Sequence, residues 1–226
     1  MTNLEQSVVL VVGASGGLGT RIASLLTDAG ATVVRAARNP ATITGPDAFV
    51  ADLRDEAAAA SVVTAAVGAH GRLDDVVIAA GSVAFGPVGE LTDAALRELF
   101  DVNTLAPIRL IREAMPHLVE SGSAGRDPFI LTLSGVVSEA PTAGLAAYSA
   151  SKSGLAAFTK AASRELRRAG IRIIDARPGH TETGLVNRAI EGTAPAFPTG
   201  LDPDAVAQRI VTAIADGEKD LPSTAF

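Results

Sequence analysis

The feature that most constrains the fold is an apolar run that ends in a glycine-rich turn, within residues 7–30. Five successive apolar residues, 8–12, are typical of a strand buried on both faces of a parallel sheet. The turn carries Gly13, Gly17 and Gly19, and the residues after it have apolar positions at helical spacing. We therefore predict a strand, a glycine turn and a helix.

This turn has two chemical interpretations. Glycines let backbone approach an anion closely, and a helix start offers free N–H groups and a positive dipole end, which suits a pyrophosphate. Residues 13–17, Gly-Ala-Ser-Gly-Gly, also match the G-x-S-x-G elbow that presents a nucleophilic serine in hydrolases, here Ser15. Both need a strand before the turn and a helix after it, so the rest of the chain must separate them.

Predicted strands and helices alternate along the whole chain. Further strands are expected at residues 31–38, 49–51, 73–81, 129–133 and 171–176, and helices at 55–69, 94–119, 143–168 and 203–215. No linker or repeat interrupts them, so residues 1–226 are expected to form one α/β domain with a doubly wound parallel sheet. Pro107 is expected to kink or divide the helix at 94–119. Ligands in such sheets bind at the carboxyl ends of the strands.

The composition and charge of the chain limit the kinds of partner that we expect. The net charge is −6 and no basic run occurs, so we expect no nucleic-acid partner. There is no cysteine, and the three histidines are far apart in sequence, so we expect no disulfide and no metal site. No apolar run is long enough to span a bilayer and the N-terminus lacks a signal-peptide pattern, so a soluble, cytoplasmic protein is expected.

The ends of the second and third strands bear on the choice of cofactor. In dinucleotide folds an acid at the tip of the second strand binds the ribose 2′-hydroxyl, whereas an arginine pairs with a 2′-phosphate. Here Ala37 is followed by Arg38, which favours NADP(H) over NAD(H), unless the arginine is only solvated. Asp52, followed by Leu53, could bind an adenine edge, cap the next helix, or do both.

A tyrosine and a lysine four residues apart, Tyr148 and Lys152, lie on one face of a predicted helix. An ammonium beside the phenol favours the phenolate and lowers the tyrosine pKa from about 10, which would make it a usable general acid and base. The pattern alone is common by chance, and two exposed helical residues are the alternative. Asn103 stands in an otherwise apolar stretch, where a polar side chain must be satisfied or used.

Together these pieces resemble the short-chain dehydrogenase/reductase family over nearly the whole chain. The matching pieces are the glycine turn, Asp52, the small residues Ala79-Ala80-Gly81, Asn103, a serine after the fifth strand, Tyr148-x-x-x-Lys152, and Pro178-Gly179 with Thr183. The resemblance implies a Rossmann fold and an NADP(H)-dependent oxidoreductase that transfers a hydride between the cofactor and a carbonyl carbon, with NAD(H) as a possible substitute.

The resemblance also implies roles for individual residues. Tyr148 would be the general acid/base, Lys152 would hold the nicotinamide ribose and lower the tyrosine pKa, and Asn103 would position a proton-relay water. Ser134 completes the implied catalytic set. The implied cofactor-binding residues are Gly13, Ser15, Gly16, Gly17, Leu18, Gly19, Arg38, Asp52, Leu53, Ala79, Ala80, Gly81, Asn103, Tyr148, Lys152, Pro178, Gly179, Thr181 and Thr183.

The chain departs from the family pattern at the serine. The family places it thirteen residues before the tyrosine, where this chain has Gly135. Ser134 or Ser138 would then fill the role, and we favour Ser134 because it directly follows the fifth strand. The family's two asparagines before Ala-Gly are also replaced, by Ile78 and Ala79.

The substrate pocket is expected to be small and mostly apolar, which indicates an uncharged ketone, aldehyde or alcohol. Its predicted lining is Val83-Ala84-Phe85, Glu139-Ala140-Pro141 with Leu145, and residues 180–198. The last of these segments belongs to a substrate lid expected at 180–200. His180 could face the substrate, although a loop histidine is more often solvated, and Glu182 and Arg188 are interpreted as surface charges. A homodimer through residues 96–118 and 148–166 is expected, with a tetramer as the alternative, because the last strand looks eroded.

Two other functions remain open. A serine hydrolase would need Asp175 and His180 as partners of Ser15, but both lie on one strand end and nothing precedes the elbow to supply an oxyanion loop. A non-catalytic NADP(H) sensor on the same fold fits the irregular serine and the missing asparagines. The presence of Tyr148, Lys152 and Asn103 together argues against it.

Overall fold

A computed structural model describes residues 2–226 and has six parallel strands. The strands are β1 Val8–Val12, β2 Thr32–Ala37, β3 Ala48–Val50, β4 Asp75–Ile78, β5 Phe129–Leu133 and β6 Arg172–Ala176. Their order in the sheet is β3-β2-β1-β4-β5-β6. The first three strands are added towards one edge and the last three towards the other, so the strand order reverses between β1 and β4. The predicted doubly wound parallel sheet is confirmed, and a switch point of this kind leaves a crevice for ligands.

Six helices cover the two faces of the sheet: α1 Gly17–Asp28, α2 Ala58–His70, α3 Asp93–Phe100, α4 Ala106–Ser123, α5 Ala146–Leu166 and α6 Pro203–Asp216. Val9 and Val11 pack with α1 and α6 on one face, while Val8, Leu10 and Val12 pack with α2, α4 and α5 on the other. The continuous apolar run of β1 is therefore explained by burial on both faces. None of the helices within residues 2–226 combines the length and hydropathy needed to cross a bilayer.

The helix predicted at 94–119 is interrupted by a wide turn at Asp101–Leu105, in which the Ala106 N–H donates to the carbonyl of Asp101, five residues back. Pro107 lies in the first turn of α4, directly after the wide turn. The interruption therefore comes just before the proline. It places Asn103 in the wide turn, a geometry that often marks functional sites.

One local expectation needs correction and another is confirmed. Asp52 does not cap α2, which begins later, at Ala58, without a side-chain cap. Its carboxylate instead pairs with the Arg54 guanidinium. The eroded last strand is a single bridge between Ala176 and Leu221, so β6 is the last strand of the sheet within the described residues.

Candidate active site

A cavity of about 690 Å³ opens at the carboxyl ends of β1, β4 and β5. It brings together most of the residues predicted to bind a cofactor or to act in catalysis: Gly13, Ser15, Gly16, Gly17, Leu18, Arg38, Asp52, Leu53, Ala79, Ala80, Gly81, Ser134, Tyr148, Lys152, Pro178, Gly179, Thr181 and Thr183. Two further predicted residues, Gly19 and Asn103, do not line the cavity. This is the position that a doubly wound sheet gives to its ligand.

The glycine turn supplies an anion site at one end of the cavity. Helix α1 begins after Gly16 with no capping side chain and no acid in its first turn. The N–H groups of its first turn, at the positive end of the helix dipole, are therefore free to bind an anion. Because Gly16 and Gly17 line the cavity, the turn fits a pyrophosphate group.

The other glycines of the turn are required by the protein's own packing. A Cβ on Gly13, whose φ is +85°, would lie 2.4 Å from the backbone nitrogen of Ala80. A Cβ on Gly19 would lie 2.1 Å from the carbonyl oxygen of Gly13, and one on Gly17 would lie 2.5 Å from the Thr183 Cβ. The turn is thus pressed against β4 and against the start of the 180–200 segment.

The far end of the cavity carries a cluster of charges that the sequence interpretation only partly foresaw. Arg38 is exposed, and its nearest acid is Glu98, 3.9 Å away. Glu98 also lies 3.4 Å from Arg54, which pairs more closely with Asp52 and holds the Asp52 pKa below its usual range. Glu98 and Arg54 were missed because no local pattern joins α3 to the end of β3.

Lys152 is buried at the middle of the cavity and donates a 2.7 Å hydrogen bond to the carbonyl of Leu133, at the end of β5. Gly81 makes room for it, since a Cβ there would lie 3.3 Å from the lysine Nζ. Burial lowers the pKa of Lys152 to about 8, and the negative charge of Asp175 opposes that fall. The ammonium is therefore mostly charged at neutral pH.

Tyr148 packs between two small apolar clusters, one with Val83 and Phe85 and one with Leu99. Burial raises the pKa of Tyr148 to about 12. The expected lowering by Lys152 is not found in this ligand-free geometry. Within residues 2–226 the lysine bonds to Leu133 and no hydrogen bond joins it to the phenol. Desolvation disfavours the charged form of both groups, so it moves their pKa values in opposite directions.

Asn103 is fully buried and braces two segments of the site. Its Oδ1 accepts from the N–H of Ser82 at 3.0 Å, and its Nδ2 donates to the carbonyl of Ser82 at 2.9 Å and to the Ser151 Oγ at 3.0 Å. The side chain is thereby satisfied by protein groups, and it connects the loop after β4 to α5. Its assignment to a proton-relay water remains a prediction.

Neither serine candidate has a hydrogen bond to the phenol among the described residues, and both are bonded to other groups. The Ser134 hydroxyl donates to Asp175 Oδ2 at 2.6 Å and accepts from Ser138 at 3.1 Å. The single proton of the Ser138 hydroxyl is shared between Ser134 and the carbonyl of Gly135, which is the nearer acceptor at 2.7 Å. A catalytic role for Ser134 remains a prediction, and it would require the hydroxyl to leave Asp175.

The half of the cavity beyond Tyr148 is largely apolar. It is lined by Val83, Phe85, Leu145, Leu185, Val186, Ile190 and Phe197, with His180 and Arg188 as its basic side chains. The predicted lining residues Ala84 and Glu139-Ala140-Pro141 lie outside it. Glu139 instead pairs with Arg177.

The 180–200 segment is tied down at both ends. Its start and finish meet in a bridge between Thr181 and Leu201, and Glu182 accepts from the Gly200 N–H at 2.7 Å. The Glu191 carboxylate accepts from the N–H and hydroxyl of Thr92, which caps α3. Glu182 is therefore more than the solvated charge that was expected. Mobility of the segment as a lid remains a prediction.

The hydrolase alternative lacks an assembled triad. Asp175 accepts from Thr132 and Ser134, and the nearest acid to His180 is Glu182, at 3.4 Å. The Ser15 side chain is exposed at the cavity edge, and no hydrogen bond within residues 2–226 joins it to a histidine.

Comparison with known proteins identifies the family. Residues 7–193 match the short chain dehydrogenase family. The ketoacyl reductase HetN of Nostoc is 32% identical over 95% of this chain and 77% of its own. The 2,3-dihydro-2,3-dihydroxybenzoate dehydrogenase of Bacillus subtilis is 26% identical over 88% of this chain and 82% of its own.

A solved structure gives the same result. The 3-ketoacyl-(acyl-carrier-protein) reductase of Brucella melitensis, crystallised with NADH, superposes with a TM-score of 0.85 and 25% identity, covering 98% of this chain and 99% of that one. The match therefore extends over the whole fold as well as the motifs. The chain belongs to the short-chain dehydrogenase family and is an oxidoreductase of that family.

Proposed function

We propose that this enzyme is an NADP(H)-dependent reductase of small, mostly apolar ketones or aldehydes, with Tyr148 as the general acid. One observation carries the proposal. A partly buried phenol and a buried ammonium, Tyr148 and Lys152, lie where the anion-binding half of a single cavity meets its apolar half. The phenol is therefore placed to act between a nucleotide and an apolar substrate.

A nicotinamide cofactor fits the residues that are present. The uncapped start of α1 would hold its pyrophosphate, Asp52 and Leu53 would lie beside the adenine, and Lys152 would bind the nicotinamide ribose. Pro178, Gly179, Thr181 and Thr183 would hold the carboxamide end. The NADH bound by the Brucella relative supports this choice of cofactor class.

The preference for NADP(H) is inferred from Arg38. Its guanidinium is exposed at the cavity edge, and Glu98 at 3.9 Å is too distant for a close ion pair. A 2′-phosphate would give it a charge-assisted partner. Replacing Arg38 with Gln should therefore raise the NADPH Kd at least tenfold and leave the NADH Kd within twofold. Arg168→Gln, an exposed arginine outside the cavity, is the matched control.

The protonation states favour reduction. Because its pKa is about 12, Tyr148 holds its proton at neutral pH and can donate it to the oxygen of a carbonyl substrate. A nicotinamide cofactor held at this site would supply a hydride to the carbonyl carbon. Lys152, still charged below its pKa of about 8, stabilises negative charge near the phenol as the proton leaves. In the oxidative direction the same tyrosine would accept the proton.

The apolar half of the cavity supports an uncharged substrate of modest size. The names of two relatives, a ketoacyl reductase and a dihydrodihydroxybenzoate dehydrogenase, support carbonyl or alcohol chemistry. Arg188 lines the same half, and within residues 2–226 no acid pairs with it. A substrate screen should therefore compare each keto ester with its free keto acid.

The test is a screen of small ketones, aldehydes and alcohols with NADPH and NADH, followed by nicotinamide absorbance. Tyr148→Phe should lower kcat by about 10²-fold or more, since positioned proton transfer contributes that much. It should leave the NADPH Kd within about threefold. Turnover that survives this substitution would contradict the proposed role of the tyrosine.

One alternative has an observation in its favour. Gly135 stands where the family has its serine, which would suit a non-catalytic NADP(H) sensor. Tight cofactor binding without turnover of any substrate in the screen would identify the sensor.

We also propose that the protein forms a homodimer through residues 96–118 and 148–166, which lie largely in α4 and α5, and that it is located in the cytoplasm. Light scattering of the purified chain tests the dimer.

A further inference from the structure

A buried carboxylate lies beneath α5, outside the roles assigned above. Asp175 is on β6, and its Oδ1 accepts from the Thr132 hydroxyl at 2.8 Å. Its Oδ2 accepts from the Ser134 hydroxyl at 2.6 Å and from the Arg177 guanidinium at 3.1 Å. A buried charge persists only when it is paired and hydrogen-bonded, and this one is both.

The same network leads to Lys152. Strands β5 and β6 pair in register, with Thr132 opposite Asp175 and Leu133 opposite Ala176. The Lys152 ammonium donates to the carbonyl of Leu133, the residue between the two hydroxyls that hold the carboxylate. The lysine and the carboxylate are thus fastened to the same short segment of β5, and the negative charge of Asp175 acts on the ammonium.

The other titratable groups around Lys152 differ in their effect. Tyr148, one turn earlier on α5, is neutral below a pH of about 12. Arg177 opposes the charge of Asp175, but Glu139 and Asp220 pair with the same guanidinium and weaken that opposition. Asp175 is therefore the acid left to support the buried ammonium.

We propose that Asp175 is a positioning residue that acts through Lys152. Its carboxylate keeps the Lys152 ammonium charged and, by accepting the Ser134 hydroxyl, fixes the end of β5 on which that ammonium is held. Ser134 in this arrangement serves the carboxylate rather than the substrate. The consequence for catalysis rests on the proposed function, but the electrostatic effect is a property of the ligand-free protein.

The chain offers a direct measurement, because it has three lysines, of which Lys160 and Lys219 are exposed. Nuclear magnetic resonance of the chain labelled with ¹³C-lysine therefore follows Lys152 against two internal references. In the wild type its titration midpoint should lie near pH 8, well below the ordinary lysine value of 10.5. Lys152→Arg identifies the signal by its loss.

Two substitutions should move the Lys152 midpoint in opposite directions. Asp175→Asn removes the supporting charge and should lower the midpoint by about one pH unit, because a nearby opposite charge shifts a pKa by about that much or more. Arg177→Gln removes the opposing charge and should raise it. Asp28→Asn, an exposed acid on α1, is the control for a change of net charge and should have no effect.

An unchanged midpoint in folded Asp175→Asn, or a fall in Arg177→Gln, would overturn the proposal. If Asp175→Asn does not fold, the rise expected for Arg177→Gln carries the test alone. In the active enzyme the alkaline limb of the kcat/KM profile for carbonyl reduction should follow the same shifts. Failure of the proposed function would look different, since the wild type would then show no turnover while the lysine midpoints still moved.

Discussion

At the scale of single residues, burial shifts the pKa values of Tyr148 and Lys152 in opposite directions. Tyr148 and Lys152 lie one turn apart on α5, and this spacing predicts that the ammonium lowers the phenol pKa. In the ligand-free geometry the ammonium bonds to Leu133, and desolvation instead raises the pKa of the phenol. Sequence spacing gives the face of a helix, but the direction of a long side chain depends on its tertiary partners.

The ionisation of Tyr148 can be measured directly, because it is the only tyrosine and the chain has no tryptophan. Phenolate absorbance in the ligand-free protein should show a midpoint near pH 12. Unfolding in alkali is monitored by circular dichroism, since exposure would return the phenol to its ordinary pKa of about 10. A midpoint below that value while the fold persists would show that Lys152 acts on the phenol without a ligand.

Ser134 provides a second prediction at this scale. If its hydroxyl serves Asp175, Ser134→Ala should reduce kcat for carbonyl reduction less than about tenfold, because the reacting oxygen loses no partner. A serine that polarises the carbonyl should instead cost about 10²-fold or more, as a lost oxyanion donor does. Ser138→Ala is the matched control, and a larger loss there would move the role to Ser138.

At the scale of elements, local signals predicted what is locally encoded. The strands β1 and β5 were predicted because an apolar run is a property of a few adjacent residues. The cavity follows from them, since parallel strands bring their carboxyl ends to one edge of the sheet. Most of the cofactor-binding set lines it for this reason.

What the sequence could not predict are the contacts between distant elements. Glu191 holds the start of α3 at Thr92, and Glu98 lies beside Arg38, yet each pair is far apart in the chain and has no periodic signature. The orientation of Ser134 is of the same kind, because it depends on an acid in β6. Neither Glu98 nor Glu191 was singled out from the sequence, and Ser134 was assigned from the resemblance.

The wide turn at Asp101–Leu105 makes a testable element-scale prediction through Asn103. Asn103→Ala leaves the buried N–H and carbonyl of Ser82 without their partner, which should cost about 1–3 kcal/mol in the free energy of unfolding. Urea unfolding measures it, with Asn187→Ala, an exposed asparagine, as the control. Equal stability of the two variants would show that the brace contributes nothing.

At the scale of the whole molecule, a second buried acid couples stability to pH at the opposite end of the sheet. Asp75 begins β4 and accepts from the N–H of Phe129 at 3.0 Å, next to the buried Asp74. Burial, with a contribution from Asp74, raises the pKa of Asp75 to about 8 from its ordinary value of 3.8. The folded protein therefore holds a proton that the unfolded chain releases.

The sign of the effect follows from this proton. Between about pH 4 and pH 8 the unfolded chain binds fewer protons than the folded one, so the free energy of unfolding falls as pH rises and levels off above about 8. Asp75→Asn keeps the acceptor for Phe129 and cannot ionise. It should therefore gain stability relative to the wild type as pH rises, by as much as a few kcal/mol at pH 8. Asp74→Asn is the contrasting control, because Arg72 and Arg126 pair with that carboxylate and its loss should destabilise at neutral pH. Parallel urea titrations at pH 5 and pH 8 decide the matter, since an Asp75→Asn difference that does not grow with pH would mean that Asp75 is ionised in the fold.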